Sequence, residues 1–385
     1  MSILINRNVL SKGWKKYYIM HKDRKVAVIR ENGECKVFFP SFMPYNLYFE
    51  TTEDGDLDTR LGNLNNFYHW CSSRVLTLDR KYAKEILNSI GASQANTDRD
   101  RAMIAISYHG LSLTDVYWIK GKNEDISFED INLYKHSLSA SFASVSLTGK
   151  SLTVQNAELL TPEDAAGDVG TNGVAPKAWI RSDGRFYLLK DGDIRDVDAE
   201  LLASRIADCF DIAHIRYEES SFEGKKVSKS EIITSEDIGI VPFEYVEIHC
   251  TNHDRDAIGF VLRKDSYSYY MMNIIDYLTG NTDRHWCNWG FIVDNKTNKL
   301  VKLHPLMDFN KAFLSYDTID GARCQTVRGS ISQKDAAVYA VGKIGLNQIS
   351  EVREEWFGSE EIKNMFFRRL NILKEYTEKK ENCDK

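Results

Sequence analysis

The chain has 385 residues, 43% of them hydrophobic and 28% charged, with a net charge of −6. That is enough apolar material for a sizeable core in two or three domains, and the mild negative balance leaves no whole-chain footprint for nucleic acid. No apolar run reaches membrane-span length, MSILINRNVLSKGWKK lacks the apolar core of a signal peptide, and seven scattered cysteines without a Cys-x-x-Cys pair argue against disulfides or zinc, so a reducing cytoplasm is the expected setting.

In chain order, residues 1–150 read as an N-terminal α+β accessory domain. KVAVIRENGECKVFF predicts a hairpin around Asn32-Gly33, a dipeptide suited to the positive φ of a tight turn. RKYAKEILNSIG predicts a helix ending at Gly91, and TDRDRAMIAIS another with Thr97 as its N-cap. The aromatic clusters FYHW (67–70) and DVYW (115–118) read as core or packing edges. Residues 120–172 are polar, rich in Ser, Asp, Asn and Gly, and a domain boundary is expected within them.

Residues 151–240 read as a small lobe. In DVGTNGVAPKAW, Gly170, Gly173 and Pro176 stand where backbone amides can cradle a phosphate, although Gly-rich turns are common. KAWIRSDGRFYLLK predicts two strands around Ser182-Asp183-Gly184. A helix, DAELLASRIADCFDI, follows with Asp196 or Asp198 as its cap and Leu202, Ile206 and Phe210 on its apolar face. AHIRYEES and KVSKSEIITS add two more strands, completing one helix on an antiparallel sheet. Lys190 ends a strand and Glu200 sits early in the next helix. A strand lysine paired with a helix glutamate holds the α- and β-phosphates of a nucleotide. Taken singly, the two are a solvated strand end and a favourable N-terminal helix acid. Ser235 and Glu236 fall, by order alone, where a hinge would present backbone groups to adenine.

Residues 241–385 read as mainly helical. KDSYSYYMMNIIDYLTG predicts a helix starting at Asp265 or Ser266 and stopped by Gly280. Next comes GNTDRHWCNWGF, an acid, two bases, an amide and two tryptophans between glycines. WGFIVDNKTNKLVKLHPLMDF then predicts a hairpin turning at residues 295–298, which returns Asp308 to the open end where Asn288 stands, with Asp283 in the loop beside them. An all-oxygen set of this kind suits magnesium and a phosphate-rich substrate. Asp283 would accept or orient a hydroxyl proton, while Asn288 and Asp308 would hold the metal. Asp-x4-Asn alone is a nearly worthless signal; the preceding helix, the hairpin and the closing Asp-Phe give it weight. Arg284 and His285 read as ties within the loop, and Cys287 as a packing residue. The charged tail KEYTEKKENCDK reads as fraying.

GNTDRHWCNWGF followed by HPLMDFN resembles the HipA-like branch of the protein kinase superfamily, and its Gly-x-x-Asp-Arg-His-x-x-Asn string is also similar to that of phosphoinositide 3/4-kinases. The resemblance is strong over residues 280–313 and supportive over 170–250. It implies an α+β, bilobal protein-kinase-like fold behind an additional N-terminal α/β unit, with ATP and Mg2+ as cofactors. It further implies a Ser/Thr protein kinase with Asp283 as the catalytic aspartate, Asn288 and Asp308 as metal ligands, Lys190 on the phosphates, and the run TNGVAPK, with Thr171, Asn172 and Gly173, as the phosphate loop. A toxin role, self-phosphorylation and a separate DNA-binding antitoxin come with the same likeness. Two departures stand out: Thr171 is the only hydroxyl where such loops carry a serine, and Asp308-Phe309 is followed by Asn310 rather than glycine, with no Ala-Pro-Glu beyond.

Two other readings stay open: a lipid or small-molecule kinase, and a nucleotide-binding pseudokinase scaffold. The chain has no basic amphipathic stretch for an anionic membrane and no helix-turn-helix, so neither membrane nor direct nucleic-acid binding is expected. The intact set of Lys190, Asp283, Asn288 and Asp308 speaks against a pseudokinase.

Overall fold

The computed structural model describes residues 15–50, 56–90, 92, 94–135, 140–149 and 175–383. These fall into two units, one from residues 1–181, 234–239 and 295–298, the other from 182–233, 240–294 and 299–385.

In the first unit, β1 (Lys16–His21), β2 (Arg24–Arg30) and β3 (Cys35–Val37) pair antiparallel. The predicted hairpin is β2–β3. Gly33 makes its turn at φ +83°, against the Arg60 carbonyl, where no side chain would fit. Sequence reading offered no element for FYHW, which lies in the last turns of α1 (Leu57–Ser72) and buries Phe67 and Trp70 as core. The helices α2 (Ala83–Ser89) and α3 (Asp98–Ser107) follow as predicted, α3 with a Thr97–Asp100 capping box. DVYW runs into β4 (Tyr117–Gly121), which pairs with β1 and gives the sheet its order β3-β2-β1-β4. The polar stretch beyond contains α4 (Phe128–Ile131) and α5 (Ala140–Thr148), which composition did not announce. Gly91 and Gly170, like the predicted phosphate-loop residues Thr171, Asn172 and Gly173, lie outside the described residues.

The unit boundary falls at the end of β5 (Lys177–Ser182). Asp183 and Gly184, at φ +50° and +78°, then turn the chain into β6 (Arg185–Lys190). The next helix, α6 (Ile194–Ala207), is capped by Asp193 rather than by Asp196 or Asp198. Asp193 is the residue with extended backbone just before the first turn, and its carboxylate accepts the Arg195 N–H at 3.1 Å. Asp196 and Asp198 lie inside the helix. The antiparallel strands β7 (Glu218–Phe222) and β8 (Lys225–Glu231) complete the small sheet. The helix α6 packs on β8, and β8 sets Ser228 opposite Lys190 of β6.

Beyond β9 (Ile238–Pro242), the chain is helical in α7 (Phe243–Thr251) and α8 (Ala257–Thr279). The predicted start of α8 at Asp265 is a kink, where Asp265 leaves helical geometry and its side chain caps Ser268 N–H at 3.1 Å. From there α8 buries Met271, Met272, Ile274, Ile275, Tyr277 and Leu278 completely. The strands β10 (Gly290–Asp294) and β11 (Lys299–Leu303) form the predicted hairpin, and α9 (Gln333–Ile344) and α10 (Glu360–Cys383) pack with α8. The helix α10 continues into the charged tail as far as Cys383, with Glu375 and Lys379 one helical turn apart at 3.9 Å. No described helix is long and apolar enough to cross a membrane.

Candidate functional site

Two glycines bracket the loop that carries the candidate acids. Gly280 ends α8 at φ +60°, packed so closely on the Tyr316 ring that a side chain would collide with it. Gly290 opens β10 against the Val241 carbonyl of β9, where a Cβ would lie 2.1 Å from that oxygen. Between them the loop is held by its own polar groups. Asn281, buried, accepts the Asp283 N–H on Oδ1 at 3.2 Å and donates from Nδ2 to the Asp308 carbonyl at 3.3 Å. One amide therefore ties the two candidate aspartates together.

Arg284 is the centre of that structure. Its Nε and Nη2 donate to the two carboxylate oxygens of Asp276 on α8, at 2.9 and 3.0 Å, and Nη1 donates to the carbonyls of Asn288 and Met307. Burial alone would push the guanidinium pKa down, but Asp276 keeps it above its ordinary value. This gives Arg284 the loop-tying place its spacing suggested. His285 accepts the Cys287 N–H at 3.2 Å, and the Cys287 thiol, pushed up to about 12 by burial and by Glu244, donates to that glutamate at 3.0 Å.

The hairpin returns Asp308 beside this loop. Asn288 Nδ2 donates to the Asp283 carbonyl at 2.7 Å, which leaves its Oδ1 as the acceptor end of the amide. Asp308 sits at φ +62°, the left-handed region that a residue other than glycine adopts only when its surroundings hold it there. The small sheet supplies the cation. Lys190 Nζ lies 2.7 Å from Glu200 Oε1 and 3.0 Å from Asp308 Oδ1, while the second Glu200 oxygen accepts from the Ser228 hydroxyl. Burial would push the Lys190 ammonium down, yet Asp308 and Glu200 together hold it well above its usual range. Lys190 is therefore a charged residue inside the protein.

Asp283 is different. Its side chain is 41% exposed. Burial of the rest pushes its carboxyl up, His285 pulls it down, and the nearby Asp308 charge raises it again. A carboxylate raised in part by the charge of a neighbouring one, beside a buried ammonium, makes a place where a divalent cation would relieve repulsion. Among the described residues no three His, Cys, Asp or Glu side chains gather into a metal cage. The donor set present, an Asp308 carboxylate and an Asn288 amide oxygen, fits magnesium, which takes few protein oxygens and fills its shell with water and phosphate.

Lys190, Glu200, Asp283, Asn288 and Asp308 thus all lie in the second unit and interact there. Ser235 and Glu236 belong to the first unit, where Asn295 Nδ2 donates to both of their carbonyls at 3.3 Å. Sequence reasoning missed Asn281, Tyr217 and Ser228. The Asn281 place beside Asp283 was visible, but nothing in the spacing of Tyr217 and Ser228 set them apart from ordinary strand residues.

A scan against protein-family models finds no match, and a comparison with curated protein sequences finds none either. Solved structures do resemble the chain. One belongs to the Shewanella oneidensis MR-1 toxin–antitoxin system of HipA, HipB and operator DNA, at 12% identity and a TM-score of 0.49, over 94% of this chain and 99% of that one. Another is the Helicobacter pylori proinflammatory kinase CtkA, at 14% identity and a TM-score of 0.41, over 53% of this chain and 88% of that one. The chain is α+β, and its second unit sets a small antiparallel sheet with one helix ahead of a mainly helical part.

Proposed function

We propose that this chain is an ATP-dependent phosphotransferase of HipA-like type, moving the γ-phosphoryl of Mg-ATP to a Ser or Thr hydroxyl of a protein. The observation that carries the reading is the continuous ionic link from Glu200 through Lys190 to Asp308, beside a half-exposed Asp283. Phosphoryl transfer asks a protein for position and charge rather than covalent chemistry. In this reading Glu200 and Ser228 orient the Lys190 ammonium toward the nucleotide phosphates. Asp283, the more accessible carboxylate, orients the acceptor hydroxyl and takes its proton. Asp308 and the Asn288 amide oxygen would hold magnesium, which would supply positive charge to offset that of the phosphates.

The run Thr171 to Gly173 as phosphate cover and the backbone of Ser235 and Glu236 as adenine contacts rest on chain order. The motif resemblance alone supports a toxin role with a separate DNA-binding antitoxin. The deciding experiment is incubation with γ-labelled ATP and magnesium, beside Asp283→Ala, reading label on the protein, on added protein acceptors and on lipid vesicles. Label on protein with the wild type only is the expected result. Label on vesicle lipid but not on protein would make this a lipid kinase, and nucleotide binding without transfer to any acceptor in cell extract would make it a pseudokinase.

A further inference from the structure

The conformation of Asp308 needs an explanation that Lys190 does not provide. A salt bridge fixes a carboxylate, not a backbone, and Asp308 stands at φ +62°, just past residues that pair with a neighbouring segment. Those residues run alongside the segment that leads into β7. The Ile215 N–H donates to the Leu306 carbonyl at 2.7 Å, and the Leu306 N–H to the Ala213 carbonyl at 2.9 Å, a short parallel bridge. Where the ladder ends, a side chain takes over: the Asp308 N–H donates to the Tyr217 hydroxyl at 3.1 Å.

Tyr217 is itself held to the helix that carries Glu200. Its own N–H donates to Ser204 Oγ on α6 at 3.2 Å, and that buried hydroxyl donates onward to the Ile215 carbonyl at 3.2 Å. The Tyr217 ring is buried, with Lys190 Nζ 5.2 Å from its centroid. One tyrosine thus touches both members of the Lys190–Asp308 pair, by its ring and by its hydroxyl. Together with Asn281 on the opposite side of the same residue, it satisfies both backbone polar groups of Asp308. A left-handed aspartate whose N–H and C=O are each claimed by a different buried side chain is over-determined, which is the condition for such a conformation to persist.

We infer that Tyr217 is a positioning residue for Asp308: its hydroxyl, anchored through Ser204 to α6, fixes the backbone turn that presents the Asp308 carboxylate to Lys190 and to a bound cation. The part concerning the cation rests on the proposed function; the part concerning the backbone does not. Partners of this kind, one step behind a metal ligand, typically change metal affinity by about 10- to 100-fold when removed.

Tyr217→Phe removes the hydroxyl and keeps the ring, its packing and its place over Lys190. Two readouts separate the two parts of the inference. Hydrogen exchange of the Asp308 amide is expected to quicken by about tenfold in Tyr217→Phe, because its acceptor is gone. Mn2+ affinity, measured in the presence of ADP, is expected to fall by about tenfold in Tyr217→Phe and further in Asp308→Asn. Unchanged exchange in Tyr217→Phe overturns the inference, and so does faster exchange with wild-type Mn2+ affinity while Asp308→Asn binds poorly. If Asp308→Asn binds Mn2+ as the wild type does, the metal role in the proposed function is what fails, and the exchange rate alone decides the role of Tyr217.

Discussion

Both units bury ion pairs, and they do so to different ends. In the first, Arg74 grips Asp115 with two parallel hydrogen bonds of 2.9 and 2.8 Å and donates its remaining N–H groups to the carbonyls of Gly110 and Tyr117. Arg101 likewise donates to the carbonyls of Ser72, Val75 and Leu76, closing the chain after α1. Apart from Asp115, and the Asp98 carboxylate beside Arg101, these acceptors are backbone carbonyls. In the second unit Arg284 behaves the same way, but Lys190 does not: it joins two carboxylates from different elements, and Asp308 and the neighbouring Asp283 stay partly open to water. Buried charge by itself is a structural device. What marks a candidate site is acids left repelling one another within reach of solvent.

This contrast breaks first at Asp283. Asp283→Ala should lower phosphoryl transfer by about 10²- to 10⁴-fold, the usual contribution of a positioned proton acceptor, with an unchanged urea midpoint. A loss of stability in place of a loss of transfer would put Asp283 with the structural charges. The reverse is expected at Asp115. Asp115→Ala strands a buried guanidinium and should cost about 3–5 kcal/mol of stability, read as a fall in the urea midpoint.

Acid should strain both units alike. Burial pulls His21 in the first unit and His304 in the second down to about 4. Each folded pKa lies below the ordinary 6.5, so the neutral ring favours folding fully above about pH 6.5, and that stability is lost as pH falls toward 4. By pH 5 the loss should be about 2 kcal/mol for each histidine. Urea midpoints at pH 7.5 and 5 test it: His21→Gln and His304→Gln should each flatten the drop, and an equal drop in either variant would remove that histidine from the account. The smallest effect is local to the first unit. Thr97→Ala removes the α3 cap and should cost about 1 kcal/mol in the same measurement, with transfer untouched.

The legible parts of the chain were those governed by neighbours in sequence. Asn32-Gly33, Ser182-Asp183-Gly184 and residues 295–298 announced their turns because only certain residues tolerate the backbone that a tight turn demands. The Thr97 cap, the Gly280 stop and the long apolar run of α8 were local for the same reason. Even an error was local: Asp193 caps α6 instead of Asp196 or Asp198, because several acids near a helix start compete and the extended backbone at one of them decides. The charged tail read as fraying, and α10 is helical into it as far as Cys383.

By itself, then, the sequence determined the α+β class, the hairpin that brings Asp308 back toward Asn288, and the order Lys190, Glu200, Asp283, Asn288, Asp308. Each follows from turn chemistry, hydrophobic period or spacing, all properties of a short window. Only the tertiary structure decided that Lys190 bridges Glu200 and Asp308, that Asn281 links the two aspartates, and that Tyr217 takes the Asp308 N–H. Asn281 and Asp283 are neighbours and Lys190 and Glu200 only ten apart, but the contacts that reach Asp308 span 27 to 118 positions, and a buried donor finds its acceptor by where the folded backbone puts it, which no local pattern records.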